Sequence, residues 1–175
     1  VNFLIKYIAD YQIRKACGAA RNKQFVKLGD AKNIGILFEA ADTQAFETVK
    51  KFIQKLKEYT GNVHAIGYID EKLSPNYSYI KTDIDLFNKK ELQQFYRPQS
   101  PYIKTFTEDE KDLLIEINFN QKIPLRYIAA ASKAKCKVGM HIPDNEALHD
   151  VLIAVGTQQS MDFYLQQIIK YLGVI

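Results

Sequence analysis

The sequence is poor in the residues that build staples and recognised chemical motifs. Its two cysteines, Cys17 and Cys136, are far apart and in no metal-ligand spacing. With 47% apolar residues the chain has enough material for a full core, so neither a disulfide nor a structural metal is needed. Both thiols then read as small hydrophobes in a reducing compartment, and a cytoplasmic location is the expectation. No run of 18 or more apolar residues occurs, which excludes a membrane-spanning helix. The opening VNFLIKYIADYQIRK lacks the basic n-region of a secretory signal, and Lys6 and Asp10 interrupt its apolar stretch.

Glycine is missing where phosphate chemistry would need it. There is no G-x-G-x-x-G and no G-x-x-x-x-G-K-S/T, and the turn EAADTQ after the first expected strand has no glycine at all. A conventional dinucleotide or P-loop site is therefore excluded; VGTQQS (155–160) offers one glycine and a small-anion turn at most. No G-x-S-x-G elbow is present, and Ser132 beside Lys133 makes no catalytic pair because adjacent helical residues point apart. HIPDNEALHD (141–150) has the residue types of a metal site, but His141 should end one strand and His149 begin the next, at opposite ends of a parallel sheet. No cofactor, metal or catalytic constellation is assigned. Tryptophan is absent too, and tyrosine and phenylalanine carry the aromatic content. Tyr77 and Tyr79, or Phe95 and Tyr96 beside Arg97, suit base stacking, although loop tyrosines more commonly rim a core.

What is present is unevenly placed charge. The total is +4, yet residues 1–33 alone carry Lys6, Arg14, Lys15, Arg21, Lys23, Lys27 and Lys32 against Asp10 and Asp30, a net of +5. A basic arm on a near-neutral body suits an acidic partner, or is only a solvated helix face. Residues 2–16 read as a helix with one polar stripe, Asn2, Lys6, Asp10 and Arg14. Phe3, Leu4, Ile5, Tyr7, Ile8, Tyr11 and Ile13 make its apolar part wider than a surface helix needs, so it lies buried across the domain or meets another chain. Gly18 ends it, and residues 1–32 are taken as helix plus basic connector, with 33–175 as a single α/β domain.

Within that domain NIGILFEA (33–40) and VHAIGYID (63–70) read as buried strands flanking a helix capped by Asp42 or Thr43, with Phe46, Val49, Phe52, Ile53, Leu56 and Tyr59 inward. Residues 71–101 suggest a short strand at 78–82 and a short helix near 88–95. IKTF (103–106) reads as strand-like, and DLLIEINF (112–119) as a strand. Pro124 opens a helix running to about Ala134, CKVGMHI (136–142) and HDVLIAV (149–155) are strands, and Thr157 caps a last helix with Met161, Tyr164, Leu165, Ile168, Tyr171 and Leu172 inward. The alternation predicts an α/β fold: a three-layer Rossmann-like sandwich with a mostly parallel sheet of about five strands and an N-terminal helical arm.

In such sheets ligands bind beyond the carboxyl ends of the strands. The candidates there are Glu39 and Asp42, Asp70 with Glu71, Asn118 with Asn120, His141 with Asp144 and Asn145, and Thr157 after Gly156. This rim is polar and leans acidic, suited to a cation or an amine; the same residue types also cap helices and shape turns. A second candidate set is basic. In SKAKCKVGMH (132–141) Lys133 complements a helix C-terminus, while Lys135 and Lys137 point to one side of a strand and Cys136 and Val138 to the other. With Arg126 these lysines would make a patch at the amino end of the sheet, and Arg14, Lys15, Arg21 and Lys23 would extend basic surface along the arm. A protein, RNA or a membrane surface suits such a patch better than a substrate.

DLLIEINFN, IPLRYIAAASKAKCKVGMH, NIGILFEA, DVLIAV and YLQQIIKYLGVI together resemble an uncharacterised conserved family from Bacteroidota, known only as a domain of unknown function, with SKAKCKVG as the clearest signature. That resemblance implies no activity. A strand, a helix and an Ala-Lys-x-Lys-Val-Gly strand are also similar to the amino-terminal half of heptosyltransferase-type glycosyltransferases. Those enzymes need two Rossmann-like halves and a glycine-containing turn, so the similarity implies shared fold and not shared catalysis. The leading expectation is a non-catalytic interaction module working through its arm or first helix, on a protein partner or a second copy. The alternatives are a small-ligand domain, for a sugar nucleotide or an anion, or a vestigial glycosyltransferase-like enzyme; and an RNA- or ribosome-associated protein.

Overall fold

Apolar runs without polar alternation can form strands only where helices cover both faces of the sheet. The computed structural model describes residues 3–70, 83–143, 145–156 and 160–174. Six strands, β1 (Asn33–Glu39), β2 (Asn62–Ile69), β3 (Ile84–Asn88), β4 (Leu113–Ile117), β5 (Cys136–Met140) and β6 (Val151–Ile153), form one sheet in the order β3-β2-β1-β4-β5-β6, all parallel. Every residue of β4 and β5 is buried. This is the doubly wound arrangement, with its reversal of strand order between β1 and β4.

Five helices make the outer layers. On one face α2 (Thr43–Leu56) and α5 (Met161–Val174) pack Phe52, Ile53, Tyr164 and Ile168 over Ile36, Ile115 and Val138. On the other, α1 (Phe3–Cys17), α3 (Pro101–Glu108) and α4 (Ile123–Ala131) pack Ala9, Ile13, Phe106 and Ile128 over Leu37, Ile66 and Leu114. The Asp42 carboxylate accepts from the Ala45 amide at 2.7 Å and so serves as the α2 N-cap. The connector after α1 is tied down by Arg21, which donates to the carbonyls of Ala134 and Lys135 and pairs with Asp150 at 2.5 Å.

Several expectations need correction. The sheet has six strands because β3 lies at residues 84–88; the expected strand at 78–82 lies outside the described residues. Residues 103–106 belong to α3 and not to a strand: Pro101 opens that helix, and Ile103 and Phe106, three apart, fall on its buried side. Two 3-10 turns, Lys89–Glu91 and Gln94–Tyr96, stand where a short helix was expected. Tyr59 and Tyr171 are exposed rather than inward.

Lys137 is also inward, not on a solvated strand face. Its ammonium donates to the Ala129 and Ala130 carbonyls at 2.6 and 3.2 Å, in the last turn of α4. Lys111 does the same for α3, donating to the Phe106 carbonyl at 2.7 Å and lying over the Phe106 ring. Both faces of the sheet are covered, so a strand lysine has no water to reach; the unpaired carbonyls of a helix C-terminus take its place. Burial lowers the affinity of both for a proton, and with the Arg21 charge nearby brings Lys137 down to about 8. Between that value and the ordinary 10.5 the unfolded chain holds more protons, so this group makes the fold more stable as pH rises. The stability difference between wild type and Lys137→Met, measured by urea unfolding, should therefore grow in favour of wild type by about 2 kcal/mol from pH 8 to 10. A difference flat in pH would contradict a buried Lys137 with lowered proton affinity.

Candidate functional site

Because the connections leave β1 and β4 in opposite directions, a crevice opens beyond their carboxyl ends. Three of the acidic or polar candidates meet there. Glu39 is the last residue of β1, Asp70 follows β2, and Asn118 begins the turn after β4. What joins them is Lys122, whose Nζ lies 3.0 Å from Asp70 Oδ2 and 3.3 Å from Glu39 Oε1. Asn120 donates to the other Glu39 oxygen at 2.8 Å. Lys89, just after β3, pairs with Asp70 at 2.5 Å. The ends of four neighbouring strands are thus tied through two carboxylates and two lysines. Burial opposes the Lys122 charge, but Asp70 and Glu39 outweigh it and hold that ammonium above the ordinary lysine value. Lys89 and Lys122 in turn hold Asp70 below the usual carboxylate range.

The turn that presents Lys122 is built by Asn118. Its side-chain oxygen accepts from the Lys122 amide at 2.7 Å, and its amide nitrogen donates to the Lys122 carbonyl and to Glu116. Gln121 takes a left-handed φ of 51° to close the turn, and α4 starts next, with Pro124 in its first turn.

The resulting cleft has a volume of about 570 Å³. Among the described residues, Lys6 from α1, Lys89, Lys122 and Arg126 line it with Asp70 as the single acidic side chain, and Tyr68 and Tyr96 supply aromatic walls. Tyr96 is held there at a cost. It and Phe95 both have left-handed backbones, φ 62° and 60°, a conformation that disfavours bulky side chains by about 1–3 kcal/mol each. The loop is clamped by the Gln93–Arg97 and Gln99–Glu91 backbone bonds, and by Ser100 and Tyr102 hydroxyls donating to Glu91 at 2.7 Å.

Beneath the cleft runs a buried charge cluster. Glu116, on the middle strand β4, is fully enclosed; His149 Nε2 approaches its Oε2 at 2.7 Å, as an ion-pair contact rather than an aligned hydrogen bond. Gly139 makes the room, since a Cβ there would sit 2.5 Å from the imidazole. Burial opposes the Glu116 charge, but His149, Asn118 and the Arg126 charge outweigh it and lower its proton affinity. Arg126 itself is buried and pairs with Asp10 of α1 at 3.1 Å.

Among the described residues the acidic character expected of this rim is reversed: Glu39 and Asp70 are engaged by lysines and cations dominate the lining, while Glu71 lies outside the described residues. Asp42 is a helix cap, His141 is exposed with its amide in the β5–β6 ladder, and Asp144 and Thr157 lie outside the described residues, as do Tyr77 and Tyr79. The basic candidates do not share one surface. Arg126 lies in the first half of α4 and Lys133 beyond its last residue, toward opposite ends of the sheet. Lys135 pairs with Asp112, Lys137 is buried, Arg21 is bound to Asp150 with Lys23 3.9 Å away, and Arg14, Lys15 and Lys133 are exposed. Sequence reasoning missed Lys122, Lys89 and the Glu116–His149 pair, placed Lys6 only in the basic arm and Tyr96 only as a stacking residue; the signal for the missed set was a lysine two residues before Pro124.

Fold and crevice together define a doubly wound, all-parallel α/β protein with a lysine-lined site at its switch point. The chain belongs to DUF6913, a family of unknown function, whose family model matches residues 5–175. No curated protein matches it. The match agrees with the resemblance to an uncharacterised family and brings no activity with it. Among the described residues no helix is long and apolar enough to cross a membrane, and no three His, Cys, Asp or Glu side chains are grouped to hold a metal ion.

Replacing Glu116 by Gln breaks its buried contact with His149 and should cost about 2 kcal/mol at neutral pH, read from urea midpoints. The folded affinity of Glu116 for a proton is below its ordinary 4.5, so the wild-type advantage is complete above that pH and shrinks as pH falls below it. An E116Q protein as stable as wild type at pH 7 would show that the pair contributes nothing.

Proposed function

We propose that this domain binds a small anionic ligand in the switch-point crevice. The observation that carries the reading is the lining: among the described residues, four cationic side chains stand against one carboxylate, around a space of metabolite size. The carboxylates behind the lining fix Lys122 and Lys89 before any ligand arrives, so little side-chain order remains to be lost on binding. The start of α4 adds its partial positive charge to the same space. Tyr68 and Tyr96 give the site two flat walls, suited to a ring or a sugar face carried on the anion. The Glu39–Lys122–Asp70 grouping replaces the glycine-rich phosphate loop that this sequence lacks.

A second reading, an interaction module worked by the first helix, is favoured by one specific observation: Phe3, Leu4, Tyr7 and Tyr11 are exposed on α1.

Inorganic pyrophosphate serves as the probe for the crevice. At a concentration one hundred times its Kd it should stabilise the wild-type protein by about 2.7 kcal/mol, visible as a rise in Tm. Lys6→Gln and Lys89→Gln, both at exposed positions, should fold normally and lose most of that rise. An equal rise in the double variant, or none in wild type at millimolar pyrophosphate, would contradict the reading.

A further inference from the structure

The outward face of α1 is unlike the rest of the surface. Phe3, Leu4, Tyr7 and Tyr11 are 84%, 61%, 66% and 64% exposed, and their spacing of three, four and seven puts them in one stripe. The opposite side of the helix carries Ala9 and Ile13, both buried, and is fastened to α4 by Asp10–Arg126 and by the Tyr127 hydroxyl donating to Gln12. The stripe is therefore held outward by a docked inner side. Scattered single apolar residues are normal on a surface, but four large ones in a continuous line mark an interaction site.

Charge selects the occupant. The exposed charged side chains of α1 are Lys6, Arg14 and Lys15, all cationic, with Arg14 and Lys15 one turn beyond Tyr11 at the end of the stripe. The one acid of the helix, Asp10, is turned to Arg126. A second copy would offer these cations no carboxylate on the facing helix. An anionic lipid surface satisfies both features. Aromatic and leucine side chains enter the headgroup boundary while lysine and arginine reach the phosphates. We infer that α1 lies in the plane of an anionic bilayer, apolar stripe inward, and holds the domain there weakly and reversibly. None of the four stripe residues lines the cleft; Lys6 alone is shared with the crevice reading, and Arg14 and Lys15 carry the lipid-facing charge without it.

The test is co-sedimentation of the full chain with vesicles of phosphatidylcholine alone and of phosphatidylcholine with a quarter phosphatidylserine. The expected result is at least fivefold more protein bound to the serine-containing vesicles, a loss of that binding in 0.5 M salt, and loss in Phe3→Ser/Tyr7→Ser with unchanged Tm. Equal binding to both vesicles, or binding by the double variant equal to wild type, would overturn the inference. So would light scattering that finds a wild-type dimer made monomeric by the same substitutions, because the second copy would then be the occupant. Pyrophosphate stabilisation should be the same in the stripe variant and in wild type; its loss alone would not touch the lipid result.

Discussion

A carboxylate fixed in the middle strand of a sheet that helices cover on both sides must be neutralised on the spot, and much of this molecule follows from how Glu116 is treated. No water reaches it, so protein groups supply the counter-charge and the hydrogen bonds. His149 approaches from the segment before β6, and residue 139 is glycine because that ring needs the space. Asn118, two residues on, spends one donor on Glu116 and uses its remaining capacity to shape the turn that carries Lys122. The buried pair and the crevice are thus consecutive links of one polar chain along β4.

The same logic runs through the α1–α3–α4 face. Lys111 and Lys137 also lie within it, each answering the bare carbonyls at the end of a helix. Arg126 answers Asp10 and so fastens α1 to the body. The opposite face, under α2 and α5, is packed almost wholly by apolar side chains. One side of the sheet is an ordinary core and the other is a core threaded with charge. The crevice opens at the margin of the charged side, where the last of these groups meet solvent.

Much of the architecture was legible in the sequence because β1, β2, β4 and β5 are apolar runs of five to eight residues, and the longer helices repeat at 3.6. β3 was not, because Asp85 interrupts a five-residue strand that follows an unreadable stretch. α3 was misread because four residues, IKTF, cannot separate a period of two from one of 3.6. Lys137 was assigned to solvent because alternation in CKVGM looks like one wet face; the α4 carbonyls that receive it are visible only in three dimensions. In the site, Glu39, Asp70 and Asn118 followed from the rule about strand carboxyl ends. Their meaning did not, since Lys122 is 52 residues from Asp70 in sequence and turns an acidic rim into a cationic pocket.

The central claim is that cations preset by Glu39 and Asp70 make the switch point an anion site. Titration of the isotopically labelled protein with pyrophosphate, followed amide by amide in NMR spectra, tests it most directly. The account predicts saturable shifts concentrated at Asn120, Gln121, Lys122, Lys89 and Tyr96, with β4 following through Asn118. Shifts spread over exposed lysines such as Lys15 and Lys133, with the switch point silent, would contradict it.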